Sequence, residues 1–278
     1  MTANAILFDS SKCGACKGCQ VMCKQWNQLP ASLGLHDPDN GKILYEFTGT
    51  YQDPIDLNGN TRLIIEFDER EGGPNGVEWA FTRRSCFHCT EPACMDVCPV
   101  NAISKLDNGT VLLDDSKCIG CGYCNAACPF EVPKLRENQK VSNKCTLCSD
   151  RVAQDSVPAC VQTCPGGALF FGPRADMIAQ GKERVAFLKE KGFSRAELYG
   201  EKEMGGLHVL QVSKYGNEQH GLPKDPKPSA VVDALGLMKP LTGLGVAAVF
   251  GGLGLSFLTA LGYNKAEAQP EPDDKGGE

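Results

Sequence analysis

The 278-residue chain carries a formal net charge of −6 and contains sixteen cysteines, but only four histidines and two tryptophans. An acidic chain with so few aromatic residues argues against nucleic acid as a partner. The chain is long enough to bury a hydrophobic core, so disulfides are not required to hold a small scaffold together. The role of the sixteen cysteines is therefore the main question about function.

The cysteines fall into four groups of four, at positions 13–23, 86–98, 118–128 and 145–164. Groups one and three have the spacing C-x2-C-x2-C-x3-C, group two has C-x2-C-x4-C-x3-C, and group four has C-x2-C-x11-C-x3-C. A proline follows the last cysteine of groups two, three and four. This pattern is typical of bacterial ferredoxins, in which the cysteines bind [4Fe–4S] clusters.

Regular elements are predicted between and after these groups. Alternating apolar residues predict strands, Asn108-Gly109 predicts a hairpin turn, and helical spacing between Pro173 and Gly192 predicts a helix. The expected elements are strands near Ile43–Phe47, Leu63–Phe67 and Val77–Phe81, a hairpin between groups two and three, a helix over Pro173–Lys191 and a strand over Leu207–Val212.

Two other uses of cysteine stay open at this point. An even number of cysteines also fits a set of disulfides in an exported protein. Paired C-x2-C spacings also fit structural zinc, but a zinc site has no use for the fourth cysteine before proline. The repeated spacings favour [4Fe–4S] clusters over both alternatives.

The fourth cysteine of each group predicts how the groups combine, because in two-cluster ferredoxins it binds the other cluster. Groups two and three, joined by the hairpin, predict one complete unit, and groups one and four predict a second. Backbone amides are expected to donate hydrogen bonds to the sulfur atoms. The expected ligands are Cys13, Cys16, Cys19 and Cys164 for site 1; Cys23, Cys145, Cys148 and Cys160 for site 2; Cys86, Cys89, Cys94 and Cys128 for site 3; and Cys98, Cys118, Cys121 and Cys124 for site 4.

The C-terminal part of the chain predicts attachment to a membrane. Residues 241–264 are twenty-four positions without a charge, and a helix of that length spans roughly 36 Å. A buried core helix is the alternative. The first ten residues lack the features of a signal peptide, and Arg83-Arg84 lies too far along the chain to act as a twin-arginine signal.

The predicted fold class is α+β, with two ferredoxin-like two-cluster units, one inserted in the other, followed by a single C-terminal transmembrane helix. The predicted boundaries are 1–84 with 136–172 for the first unit, 85–135 for the inserted unit, 173–239 for a helix, a strand and a Pro-rich linker, 240–263 for the transmembrane helix, and 264–278 for an acidic flexible tail.

The cysteine groups, in this order and with these spacings, resemble the iron–sulfur subunits of molybdopterin oxidoreductases. The resemblance covers essentially the whole chain and is closest to the beta subunit of membrane-bound formate dehydrogenases of the N type. Nitrate-reductase subunits of the wider family have tryptophan where this chain has Cys121, so four [4Fe–4S] clusters are expected here. The segments that carry the resemblance are Cys16–Asn27, Cys118–Cys124, Cys145–Arg151, Gly205–Val209 and His220–Lys227.

The resemblance implies an electron-transfer subunit without a catalytic site of its own, working in anaerobic respiration. A molybdopterin subunit containing molybdenum or tungsten would oxidise formate. The clusters would then pass the electrons, from site 1 to site 4, to a membrane cytochrome b subunit and to quinone. The chain would cross the lipid membrane once, with its cluster domain on the periplasmic or outer face, exported together with the catalytic subunit.

Three other functions stay open. The chain could serve another molybdopterin oxidoreductase, of the polysulfide or thiosulfate type, whose corresponding subunit usually lacks the terminal span. It could be a cluster-containing enzyme, which would need an iron with an open coordination position. It could also be a zinc-ribbon interaction protein, and metal analysis would distinguish that function.

Lysines near the cysteines carry a further hypothesis. A positive charge near a cluster favours its reduced state and raises its potential. Plain solvation is the alternative role for these side chains, which are Lys12, Lys17, Lys24 and Lys144.

Overall fold

The computed structural model describes residues 3–30, 51–72, 76–136 and 139–229, the backbone of the strand pairs 35–36 and 43–44, and the single positions 232 and 256. The chain divides into two compact units, Met1–Val232 and Asp233–Glu278. All the elements and sites below belong to the first unit.

The first unit is built mainly from short elements, because the cysteine loops interrupt the chain repeatedly. The strands are β1 (Asn4–Asp9), β2 (Leu35–His36), β3 (Ile43–Leu44), β4 (Leu63–Glu71), β5 (Val77–Ser85), β6 (Ile103–Lys105), β7 (Val111–Leu113), β8 (Lys134–Arg136), β9 (Val141–Asn143), β10 (Leu169–Pro173), β11 (Glu197–Tyr199) and β12 (Val209–Ser213). The helices are α1 (Gly18–Trp26), α2 (Ala93–Asp96), α3 (Tyr123–Ala127), α4 (Ser149–Val152), α5 (Ala159–Gln162) and α6 (Arg174–Glu190), with a 3-10 turn at Glu203–Gly205.

A four-stranded sheet of order β10-β1-β12-β11 joins the first strand of the chain to the last three. Strand β1 runs antiparallel to β10 and parallel to β12. Helix α6 covers one face of this sheet, where its Met177 and Leu188 pack with Leu7 and Leu210 in a buried cluster. Removal of this apolar surface from water stabilises the sheet. The sheet therefore holds group one close to group four.

The other strands pair in antiparallel twos, β2 with β3, β4 with β5, β6 with β7 and β8 with β9. In the long hairpin, β4 and β5 pair from Leu63 with Ser85 to Glu71 with Val77. Its first residues, Leu63–Ile65, are buried, while its tip is exposed. The base of this hairpin therefore lies inside the protein, and its tip projects from it.

Most of the predicted elements in the described part of the chain are confirmed. The strands near 63–67 and 77–81 are present and extend further than predicted. The hairpin at Asn108-Gly109 and the helix at 173–191 are also present. The strand predicted at 207–212 begins two residues later, and only Ile43–Leu44 of the first predicted strand is described.

Within the described residues, no helix combines the length and the apolar composition needed to cross a bilayer. The span predicted at 240–263 lies outside those residues except for position 256. The acidic tail predicted at 264–278 also lies outside them.

A buried ion pair fastens α6 to the sheet and carries a stability prediction. Asp9, whose side chain is almost fully buried, accepts a hydrogen bond from Arg184 Nε at 2.7 Å and one from the Ser11 N–H at 2.9 Å. The substitution Asp9→Ala would leave Arg184, whose side chain is 25% exposed, without its carboxylate partner, so we expect a loss of about 1.5–3 kcal/mol in the free energy of unfolding.

The control for this prediction lies on the same helix. The ion pair between Lys182 and Glu201 is more exposed, and Lys182→Ala is expected to cost at most about 1 kcal/mol. Denaturant titration measures both variants. Equal losses in the two variants would contradict the assignment of Asp9 as a structural charge.

Candidate iron–sulfur sites

All sixteen cysteines lie in the described residues, and each is a free thiol. Seven of them are buried, and Cys16 and Cys121 are the exposed ones. The first is predicted in site 1 and the second in site 4. The two outer sites of the predicted relay thus each have one sulfur at the protein surface.

The four cysteine loops share one backbone feature, a residue in the left-handed conformation two positions after the first cysteine. These residues are Ala15, His88, Gly120 and Leu147, with φ between 49° and 68°. This conformation turns the backbone sharply, and only Gly120 adopts it without steric cost. The loop geometry therefore repeats in all four groups, although the residue types differ.

The turn directs backbone amides at the cysteine sulfurs. In groups one, two and four, the N–H of the left-handed residue donates to the first cysteine at 3.4 Å. In groups two and four, the last cysteine accepts from the amide four residues later at 3.2 Å. Hydrogen bonds to sulfur stabilise the thiolate form that iron requires. The amides thus donate to sulfur as predicted from the sequence.

Site 1 draws its cysteines from both ends of the cluster-binding region. Cys13, Cys16, Cys19 and Cys164 line one cavity, which also contacts Ile65 of β4. Burial raises the pKa of Cys19 to about 12, and the nearby thiols of Cys13 and Cys164 contribute to the rise. The fourth cysteine of group four therefore lies with the first three of group one.

Site 2 shows the reciprocal arrangement. Cys23, Cys145, Cys148 and Cys160 line a second cavity. Burial raises the pKa of Cys23 well above its usual value, and the thiols of the other three cysteines raise it further. The fourth cysteine of group one therefore lies with the first three of group four.

Site 3 brings Cys128 of group three to the first three cysteines of group two. Burial raises the pKa of Cys89, and the neighbouring thiols of Cys86, Cys128 and Cys94 add to the rise. Burial also raises the pKa of Cys94; the charge of Lys144 opposes this rise, and the thiols of Cys86 and Cys128 add to it.

Site 4 is brought together only in part. Burial raises the pKa of Cys124, a hydrogen bond with Ser142 opposes the rise, and the thiols of Cys118 and Cys121 add to it. The Cys124 sulfur and Ser142 Oγ are hydrogen-bonded at 3.3 Å, and the Ser142 N–H donates to Cys118 at 3.3 Å. The membership of Cys98 in this set stays a prediction.

The donor sets fit [4Fe–4S] clusters. Two cavities are each lined by four thiols, one for each iron of a [4Fe–4S] cluster. The repeated loops also direct their backbone amides at the sulfur atoms. Buried thiols resist ionisation because a thiolate loses its hydration there. Iron would supply the positive charge that the thiolates need, so burial and metal binding are compatible.

Several polar residues around the sites were not identified from the sequence. Arg62 donates to Asn27 Oδ1 at 2.6 Å and to Asn143 Oδ1 at 2.7 Å, and both Arg62 and Asn27 line the cavity of site 2. Arg83 lines the same cavity and is fully buried. Arg83 shares the alternate positions of β5 with Trp79, which is exposed, and Phe81, which is half-buried, so the alternation in the sequence did not indicate its burial.

The four lysines singled out in the sequence differ in placement. Lys144 is buried and donates to the carbonyls of Val111 and Cys145. Lys17 donates to the Tyr51 carbonyl, and Lys24 donates to that of Asn60 at 3.0 Å. Lys12 is exposed and lies over the Phe170 ring at 4.9 Å. Of these four lysines, only Lys144 thus has a buried charge next to the sites.

Comparisons with known proteins agree with this geometry. Two models of a 4Fe–4S dicluster domain match the chain, one over residues 12–102 and the other over residues 77–174. The nitrate-inducible formate dehydrogenase iron–sulfur subunit of Escherichia coli is 39% identical over 275 residues, which cover 97% of this chain and 89% of that protein.

Two further relatives have the same description. The formate dehydrogenase-O iron–sulfur subunit of Escherichia coli is 38% identical over 270 residues, which cover 95% of this chain and 86% of that protein. The formate dehydrogenase iron–sulfur subunit of Haemophilus influenzae is 38% identical over 257 residues, which cover 91% of this chain and 78% of that protein. The chain therefore belongs to the family of formate dehydrogenase iron–sulfur subunits, the electron-transfer components of these complexes rather than their catalytic subunits.

Proposed function

We infer that this chain carries four [4Fe–4S] clusters, one in each of sites 1 to 4, and relays single electrons along them. The observation that carries this proposal is the pair of cavities in which groups one and four exchange their last cysteines. The exchange is the arrangement of a two-cluster ferredoxin. It also supports the nested domain layout, in which residues 85–135 are inserted between the parts of the first unit.

The proposed order of the relay is supported by neighbouring cysteines. Cys19 of site 1 and Cys23 of site 2 lie about one turn apart on α1, which supports placing these two sites side by side. Site 3 lies beside site 2, because Cys145 adds to the effect of burial on the pKa of Cys86. Cys124 does the same for Cys94, which connects site 3 to site 4. Electrons would enter at the exposed Cys16 edge and leave at the exposed Cys121 edge.

The partners are inferred from the relatives, which are named as subunits of formate dehydrogenases. A molybdopterin subunit would oxidise formate, and a membrane cytochrome b subunit would receive the electrons and pass them to quinone. This chain would hold the clusters at fixed distances, exclude water from the inner sites and adjust the potentials through hydrogen bonds and charge.

The proposal is tested with the complex purified without oxygen. The isolated chain with its clusters should contain about sixteen iron atoms and about sixteen acid-labile sulfides, as four [4Fe–4S] clusters require, and formate should reduce the clusters within the complex. The isolated chain with its clusters should not be reduced by formate. Oxidation of the reduced clusters by thiosulfate or polysulfide, without any reduction by formate, would favour the other class of partner, and zinc in place of iron would contradict the proposal.

The membrane part of the proposal has its own test. Deletion of residues 237–278 should yield a soluble chain that keeps its clusters and still binds the catalytic subunit, but loses the cytochrome subunit. The reason is that the uncharged stretch at 241–264 is removed while every cysteine is kept. Fractionation and co-purification measure the outcome.

The control for this truncation removes only the acidic residues 264–278 and should leave attachment intact. Membrane association of the longer truncation, in the absence of its partners, would contradict the proposed span.

A further inference from the structure

One buried charge has no counter-charge among the described residues. Arg83 lies on β5 opposite Ile65 and is fully buried. Its Nη1 donates to Ser85 Oγ, whereas Nε and Nη2 have no hydrogen-bond partner within the described part of the chain. No carboxylate of that part forms an ion pair with it. A buried guanidinium in this state is costly unless another anion lies beside it.

The surroundings of Arg83 are the cysteines of sites 1 and 2. Arg83 shares the cavity of site 2 with its four cysteines, while its strand partner Ile65 lines the cavity of site 1. Cys160 of site 2 lines the same cavity as Arg83, and Cys19 of site 1 lines the same cavity as Ile65.

A cluster bound by four thiolates supplies the missing negative charge. Such a cluster carries a net negative charge in its oxidised state and one more negative charge after reduction. A nearby fixed cation therefore stabilises the reduced state more than the oxidised state. Burial strengthens this effect, because the interior screens charges less than water does.

We propose that Arg83 is a positioning residue of the electron relay, a buried cation between sites 1 and 2 that favours the reduced state of both clusters. Its Nε and Nη2 groups would be available to donate hydrogen bonds to sulfur in site 2, whose cavity Arg83 lines. The effect is larger at site 2, whose cavity it lines, than at site 1. This inference rests on the proposed binding of clusters at both sites.

The test is a potentiometric titration of the full complex, followed by EPR, with Arg83→Gln. The amide keeps hydrogen-bond donors but removes the charge. At a fixed solution potential, the reduced-to-oxidised ratio of the site 2 cluster should fall about tenfold, which is about 59 mV for a one-electron couple. The site 1 cluster should shift less in the same direction, and the clusters of sites 3 and 4 should keep their potentials.

Arg84 provides the matched control. It is the next residue on β5 but points away, where it forms ion pairs with Asp56 at 3.1 Å and Glu66 at 3.3 Å. Arg84→Gln should leave all the potentials unchanged. Arg83→Lys retains the charge without the planar group, and should keep the iron content while shifting site 2 less than Arg83→Gln does.

The outcomes separate this inference from the proposed function. Wild-type protein without [4Fe–4S] signals would refute the proposed function itself. Normal signals with unchanged potentials in Arg83→Gln, or an equal shift in Arg84→Gln, would refute only the role of Arg83. If Arg83→Gln fails to assemble its clusters, a potential shift in Arg83→Lys that is as large at site 3 as at site 2 would refute it as well.

Discussion

Replacement of Cys164 by serine is expected to remove or alter the cluster of site 1 while the cluster of site 2 persists. Cys164 belongs to group four by sequence, but it lines the cavity formed by Cys13, Cys16 and Cys19. Serine lacks the thiolate that iron prefers, so one iron of site 1 would lose its ligand. Iron analysis should show the loss of at most one cluster, and EPR of the reduced protein should show which one.

Cys23→Ser is the matched variant, because Cys23 is the last cysteine of group one but lies with the cysteines of group four. Cys23 lines the cavity of site 2, so its loss should affect that cluster and spare site 1. Both variants should keep the clusters of residues 85–135. In the complete complex, Cys164→Ser should block the entry of electrons from formate. Selective loss of site 2 in Cys164→Ser would mean that each group binds its own cluster, and the exchange would be wrong.

The second large effect is expected from Gly120→Ala in the loop of group three. Gly120 has φ of +68°, and a Cβ atom at this position would lie 2.0 Å from the carbonyl oxygen of Lys140. The left-handed conformation costs a non-glycine residue roughly 1–2 kcal/mol, and the overlap with backbone adds a further ~1–3 kcal/mol. We expect lower stability and loss of the site 4 cluster, measured by denaturant titration and EPR.

Gly122→Ala separates the two contributions. Gly122 is also left-handed, at φ of +78°, but its Cβ would meet only Leu135 Cδ1 at 3.9 Å. This variant should lose only the roughly 1–2 kcal/mol of conformational cost and should keep its clusters. If Gly120→Ala were no more damaging than Gly122→Ala, close approach to Lys140 would not be the reason for glycine in this loop.

The helix and hairpins were predictable because their signals are local. Pro173 and Gly192 bound α6, and Gly109 provides the left-handed residue between β6 and β7. The four-stranded sheet was not predicted as a unit. Its central strands β1 and β12 lie near opposite ends of the described chain, and no local pattern specifies which distant strand a given strand joins.

Among the site residues, the cysteines and the polar side chains differ in how far the sequence identified them. Three cysteines on one short loop must lie close together, so their spacing alone indicates a cluster. Arg83 and Arg84 are adjacent and identical in type, yet one is fully buried beside site 2 and the other pairs with carboxylates on the other face. The orientation of β5 in the fold decides between them, because successive side chains of a strand point to opposite sides.

The sequence by itself determined the chemistry of this protein, a set of [4Fe–4S] sites, because metal ligands on tight loops are recognisable from spacing alone. It also determined the family, through similarity along nearly the whole chain. The meeting of groups one and four was also predicted from the cysteine spacing, but only the tertiary structure decided which strands hold these groups together and which charged side chain lies beside them. The β1–β12 pairing and the buried base of the long hairpin bring Cys164 to Cys13 and Arg83 to Cys160, and these contacts depend on packing between distant segments.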